Sequence, residues 1–173
     1  MKKTVLTFGL ISGAMAAGMM LATLPFVDKI GFEKGEILGY TTIVLAALMV
    51  FFGVRSYREN AGGGRLTFGR GFAVGILITF IFSACYVGTW EIVYYKLMPD
   101  FNEKYAAHMV ERAKASGVSQ EKIDKTVKDA QDFKQMYDKP VNNIAFTFME
   151  VFPIGFVVTL VSAGILRKKG VPA

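Results

Sequence analysis

Four apolar runs, approximately 5–24, 38–54, 72–95 and 144–166, carry no lysine or arginine between them. Each is long enough to cross a hydrocarbon core, which takes about 20 helical residues. A chain with four such runs is confined to the membrane, and inside the bilayer its backbone must pair with itself, as helices or as a closed barrel. The runs lack the period-two alternation of barrel strands and are too long for them. The expected class is therefore all-α, with four transmembrane helices. Apolar residues make up 53% of the chain, and the only segment large enough for structure outside the bilayer is 96–143. Residues 1–173 read as a single membrane domain.

Orientation follows from the cations. Lys2 and Lys3 precede the first run, Arg55, Arg58, Arg65 and Arg70 face only Glu59 in the second connection, and Arg167, Lys168 and Lys169 follow the last run. The first connection instead balances Lys29 and Lys34 with Asp28, Glu33 and Glu36. Positive charge in short loops marks the cytoplasmic side, so both termini and the Arg-rich loop are expected inside and 96–143 outside. The first run extends through Met19-Met20-Leu21 to Pro25, longer than a signal-peptide core, and is expected to stay as a helix. The net charge of +6 does not call for nucleic acid, because the cations lie at helix ends. There Arg55, Arg58, Arg65 and Arg70 suit anionic lipid headgroups, at about 1 kcal/mol per near-surface cation.

Small residues recur every four positions. Gly9 and Gly13 extend to Ala17, Gly71 and Gly75 to Thr79 and Ser83, and Gly155 to Thr159 and Ala163. Such spacing keeps them on one side of a helix, where helix backbones approach closely in lipid. Packing within one bundle is the first use of these faces, and homodimerisation through Gly9 and Gly13 is the alternative. The loop Gly62-Gly63-Gly64-Arg65-Leu66-Thr67-Phe68-Gly69-Arg70-Gly71 lacks the Gly-Lys-Ser/Thr ending of a phosphate loop. It is expected to be a flexible turn, with Leu66 and Phe68 dipping into headgroups beside Arg65 and Arg70.

Between the third and fourth runs the pattern predicts a helical hairpin over about 100–138. Phe101, Tyr105 and Met109 form one stripe, and Ile123, Val127, Ala130, Phe133 or Lys134, and Tyr137 form the other. Ser116-Gly117 supplies the stop and Ser119 the next N-cap. A hairpin this small buries little surface alone, so its stripes should meet each other, the bundle or a protein partner.

The chain has one histidine and one cysteine. His108 with Glu111 does not make a zinc site, Cys85 is a small core residue, and no nucleophile or zinc-protease motif occurs. No cofactor is expected, and the reading leans away from an enzyme. Glu91 and Glu150 are the only charged residues within the apolar runs. Ionisable groups there are costly and usually face a bundle interior or a water-filled cavity. They form a candidate intramembrane acid pair, or else reach the interface and hydrogen-bond with Tyr86, Trp90, Tyr94, Tyr95 or Asn143.

Four stretches, Phe52-Gly53-Val54-Arg55-Ser56-Tyr57-Arg58, Phe68-Gly69-Arg70-Gly71-Phe72, Pro99-Asp100-Phe101-Asn102-Glu103-Lys104-Tyr105 and Glu150-Val151-Phe152-Pro153-Ile154-Gly155, resemble a bacterial family of four-span membrane proteins, domain-of-unknown-function family 4199. The resemblance implies the same topology and a bacterial plasma (inner) membrane. It carries no activity or catalytic residue across. Non-enzymatic interaction or envelope support is the preferred reading, and a small transporter or proton-linked channel is the alternative.

Overall fold

A computed structural model describes residues 1–168, so Lys169 of the C-terminal cation cluster lies outside the described residues. Among the described residues the regular structure is helical, apart from one isolated antiparallel bridge between Leu66 and Lys168. Helix α1 spans Lys2–Thr23 and gives way to the 3-10 turn Leu24–Phe26, which carries Pro25 in its first positions. A short α2, Val27–Ile30, stops at Gly31, whose φ of 75° suits a residue without Cβ. Helices α3 (Phe32–Asn60), α4 (Phe68–Ile92), α5 (Phe101–Ala115), α6 (Gln120–Tyr137) and α7 (Pro140–Leu166) complete the order. Four helical segments are long and apolar enough to cross a membrane, which makes this a multi-pass membrane protein.

The helices overrun the apolar runs. Helix α3 begins six residues before Leu38 and continues through Arg55 and Arg58 to Asn60, because no proline interrupts the hydrogen-bond ladder at either interface. Helix α7 takes Pro140 at its first position, where a missing N–H costs nothing, and runs on through Pro153. Helix α4 ends differently, in a π-helical turn over Val93–Leu97.

The chain divides into two compact units. The first comprises Met1–Gly88 and Phe148–Ala173, the latter described to residue 168. Its core has two parts, one including Val5, Val50, Val54, Val74 and Ile78, the other Ala16, Ile43, Ala46, Phe82 and Val151. Helix α4 meets every neighbour in this unit. Its Ile81 and Cys85 fill the space above Gly9 and Gly13 of α1, Ile78 meets Gly53 of α3, and Gly71 and Gly75 lie against Ala163 and Thr159 of α7. Half of its apolar window is buried, against 22% to 39% in the other three spans. The Gly9/Gly13 face is therefore filled by the chain's own α4. Polar groups tie the same interfaces. Ser12 donates to the Ala46 carbonyl (2.6 Å), and Thr79 donates to the Gly155 carbonyl (3.2 Å) while facing Thr159 Oγ1 (3.0 Å). Leu6, Leu10, Leu48, Phe80, Val157 and Ile165 point outward as an apolar girdle, as lipid-facing residues must.

The α3–α4 connection departs from the expected flexible turn. Tyr57 O accepts from Ala61 and Gly62, Arg58 O accepts from Gly64, and Gly63 and Gly64 hold φ of 57° and 77°. Leu66 does not dip outward. It is 2% exposed, joins the first core cluster, and its backbone exchanges two hydrogen bonds with Lys168 (3.1 and 2.9 Å). The bridge to the segment after α7 turns this side chain inward, while Phe68 stays exposed.

Candidate functional site

The second unit, Thr89–Thr147, contains the end of α4, helices α5 and α6, and the start of α7. Helices α5 and α6 pack on each other across a turn with Gly117 at φ 68°. On α6, Ile123, Val127, Phe133 and Tyr137 are half-buried and Ala130 is buried. On α5, Phe101 and Tyr105 are half-buried, but Met109 stays exposed and the polar Asn102 is buried instead. At the N-terminus of α5, Lys104 lies 2.8 Å from Asp100 and holds its carboxyl below the usual carboxylate range.

Asn102 is buried because it has partners. Its Nδ2 donates to Asp138 Oδ1 (3.1 Å) and to the Lys134 carbonyl (3.3 Å). The same Asp138 oxygen accepts from Tyr94 Oη at 2.5 Å, and the Asp138 carbonyl accepts from Tyr95 Oη at 3.2 Å. Asp138 thus joins α4, α5 and the end of α6 through one side chain. Its Oδ1 contacts are charge-assisted, which makes them about twice as strong as neutral ones. Two adjacent tyrosines reach it from the π-helical turn Val93–Leu97, a local form frequent at functional sites. Aromatic rings surround this hub, with Phe101 edge-on to Trp90 (5.1 Å) and Tyr94 edge-on to Tyr137 (5.4 Å).

A second chain of hydrogen bonds runs beside it. Trp90 Nε1 donates to Tyr137 Oη (3.0 Å), Tyr137 Oη meets Thr147 Oγ1 (3.4 Å), and Thr147 donates to Asn143 Oδ1 (3.3 Å). Asn143 is fully buried, and its Nδ2 has no protein partner. Glu91 Oε1 is likewise buried and unpaired. Asp138 is not singled out by the sequence, Asn102 stands there only as part of a family-like stretch, and Asn143 only as a hydrogen-bond partner for the two carboxyls. One signal was available for Asn143: it continues the four-residue stripe of Ala163, Thr159, Gly155, Val151 and Thr147, all buried.

Glu91 and Glu150 fall in different units. Glu150 is exposed, hydrogen-bonded with Tyr40 and electrostatically close to Glu36, both on α3. Glu36 belongs to helix α3 and not to the preceding loop. In the Arg-rich connection, Arg55 (3.0 Å) and Arg58 (3.2 Å) share Glu59, while Arg65 and Arg70 are exposed. His108 is half-buried on α5. Among the described residues no group of three or more His, Cys, Asp or Glu is placed to hold a metal.

The family described as a protein of unknown function, DUF4199, matches residues 7–168. The chain belongs to the DUF4199 family. For this family member the match takes in all four apolar helices and the α5–α6 pair, so both units belong to the family's fold. No curated protein and no solved structure matches the chain.

Proposed function

We propose that this DUF4199 protein is a non-enzymatic protein of the bacterial plasma membrane, with both termini cytoplasmic, and that α5 and α6 form an external contact surface for another protein or envelope component. One observation carries the reading: the Asp138 clamp, which holds a helix pair too small to fold alone in one fixed arrangement through Tyr94, Tyr95 and Asn102. A clamped helix pair presents a stable surface, which lowers the ordering cost of binding. In this reading the exposed Arg65 and Arg70 take anionic headgroups of the cytoplasmic leaflet, with Arg55 and Arg58 partly neutralised by Glu59.

Two measurements test this. Reporter fusions after Arg65 are expected to read as cytoplasmic and fusions at Ser116 as external, following the cation count of the short loops. The reverse pattern overturns the orientation. Photo-crosslinking residues at the exposed positions Glu111, Lys125 and Gln131 are expected to give a discrete protein adduct in native membranes. Leu48 and Phe80, in the lipid-facing girdle, should give none. Identical patterns from both sets would remove the interaction reading.

A second reading, a small proton-linked transporter or channel using Glu91 and Glu150, is favoured by the buried, unpaired Oε1 of Glu91. Proton flux in liposomes that is lost in both Glu91→Gln and Glu150→Gln would select it over the first.

A further inference from the structure

We infer that the α4/α7 face of the first unit seats one phospholipid with an acidic headgroup. Its phosphate lies at Arg65, Arg70 and Arg167, and one acyl chain lies along a column of six phenylalanine rings. The inference rests on the reading that Arg65 and Arg70 take anionic headgroups, and it adds the surface that receives the rest of the lipid.

The column is built from two rows of residues at four-residue steps, Phe68, Phe72 and Phe80 on α4 and Phe148, Phe152 and Phe156 on α7. Such spacing keeps each row on one side of its helix. The neighbouring row of small residues, with Gly75 against Thr159 and Gly155 against Thr79, brings the two backbones close and the rings within reach of each other. Phe68 stacks on Phe72 (6.3 Å between centroids), and Phe72 meets Phe156 edge-on (6.0 Å). Phe156 stacks on Phe152 (6.3 Å), Phe152 on Phe148 (4.9 Å), and Phe148 meets Phe80 edge-on (6.1 Å).

Every ring is held by a neighbour, yet none is buried. Phe68 and Phe80 are 41% and 57% exposed, and the other four are half-buried. Phe68 to Phe80 is about 18 Å of helix, close to the depth of one leaflet in a hydrocarbon core about 30 Å thick. Rings already fixed by their neighbours lose little freedom when a chain settles on them, which lowers the cost of binding.

The cations gather at one end of this column. Phe68 opens α4, three residues after Arg65 and two before Arg70, and Arg167 directly follows the last residue of α7. Two backbone hydrogen bonds between Leu66 and Lys168 (3.1 and 2.9 Å) tie these chain segments together, as in an antiparallel pair with Cα atoms about 5.5 Å apart. Side chains alternate across an extended backbone, so with Leu66 turned into the core Arg65 is turned out of it. Arg65, Arg70 and Arg167 are all exposed. Among the described residues none of the three meets a carboxylate, whereas Arg55 and Arg58 share Glu59. At the other end Glu150 lies two residues from Phe148, so only the arginine end suits an anion. A molecule anionic at one end and apolar along its length complements this face, and guanidinium groups match phosphate oxygens two at a time.

Photoreactive lipids test the proposal. The protein is placed in liposomes of phosphatidylcholine and phosphatidylglycerol in equal parts, with a diazirine midway along an acyl chain of one lipid or the other. Adducts are mapped by peptide mass spectrometry. Phosphatidylglycerol is expected to label the peptides carrying Phe72, Phe80 and Phe152 in excess over phosphatidylcholine, while both lipids label Leu48 on the lipid-facing side of α3 equally. Arg65→Gln and Arg167→Gln should each cut that excess about fivefold, the equivalent of about 1 kcal/mol for one near-surface cation. Both positions are exposed, and Arg70→Gln replaces whichever variant does not fold. An arginine-dependent excess spread evenly over all four spanning helices would overturn the column and leave the headgroup reading standing. Equal labelling by the two lipids everywhere would overturn both. A column without lipid label beside a labelled Leu48 would mean that a second copy or another protein covers it, and that result also overturns the proposal.

Discussion

Gly155→Val is expected to be the most destabilising single substitution in the first unit, at about 3 kcal/mol from overpacking and a lost interhelical hydrogen bond. A Cβ at Gly155 would stand 2.5 Å from Thr79 Cγ2 and 3.1 Å from its Oγ1. Thr79 cannot swing away freely, because it donates to the Gly155 carbonyl and faces Thr159 Oγ1. The facing position is equally closed: a Cβ at Gly75 would meet Thr159 Cγ2 at 2.7 Å. The two substitutions push the same helix pair apart, so Gly75→Ala and Gly155→Ala combined should cost less than the sum of the singles. Gly88 and Gly164 lie on the same two helices with nothing within 4 Å of a built Cβ. Alanine at either is expected to be neutral or to stabilise by up to about 1 kcal/mol through helix propensity. Unfolding in detergent, followed by circular dichroism, checks the series. A Gly155→Val variant as stable as Gly164→Ala would show that the α4–α7 contact does not carry the unit.

The features legible in the sequence are those that repeat locally. Charge-free runs of helical length mark the four crossing helices, and small residues every four positions mark where α4 meets α1 and α7, because both signals depend on one helix at a time. The long-range pairings were not legible. Ser12 meets the Ala46 carbonyl thirty-four residues away, and nothing in either neighbourhood announces it. Leu66, between an arginine and a threonine, looks like an interfacial residue until Lys168 pairs with its backbone and turns it inward. Asp138 reads as the solvated end of a helix before Pro140, yet it gathers side chains from Tyr94 and Asn102. Glu36 reads as loop charge, yet it shares a helix with Tyr40 and lies near Glu150. Each of these depends on which elements are neighbours in space, and hydrophobic periodicity does not encode that choice.

Asp138→Ala is the second large effect, and it should be confined to the second unit. The substitution removes the acceptor of Tyr94 Oη at 2.5 Å and of Asn102 Nδ2 at 3.1 Å. Tyr94 and Asn102 are 4% exposed each, so water reaches their donors only from the side of the exposed Asp138. Tyr94 Oη loses its acceptor and Asn102 keeps only the Lys134 carbonyl, and a buried donor hydrogen left unsatisfied costs roughly 1–3 kcal/mol. If the clamp holds α5 and α6 in place, that cost is paid by local opening and not by the whole chain. Amide exchange across Phe101–Ala115 and Gln120–Tyr137 is therefore expected to accelerate by about 100-fold, the equivalent of roughly 3 kcal/mol at tenfold per 1.4 kcal/mol. Exchange at Ile43, Val50 and Ile78, in the cores of the first unit, should not change. Tyr94→Phe removes one donor and leaves Asp138 bonded to Asn102, so about tenfold is expected on the scale of a single hydrogen bond. Asp138→Asn keeps Oδ1 as an acceptor and should lie between the two. Equal acceleration in both units would mean that the chain opens as one cooperative body. No acceleration in Asp138→Ala would mean that aromatic packing of Trp90, Phe101 and Tyr137 holds the helix pair, and the contact surface would then rest on those rings instead of on Asp138.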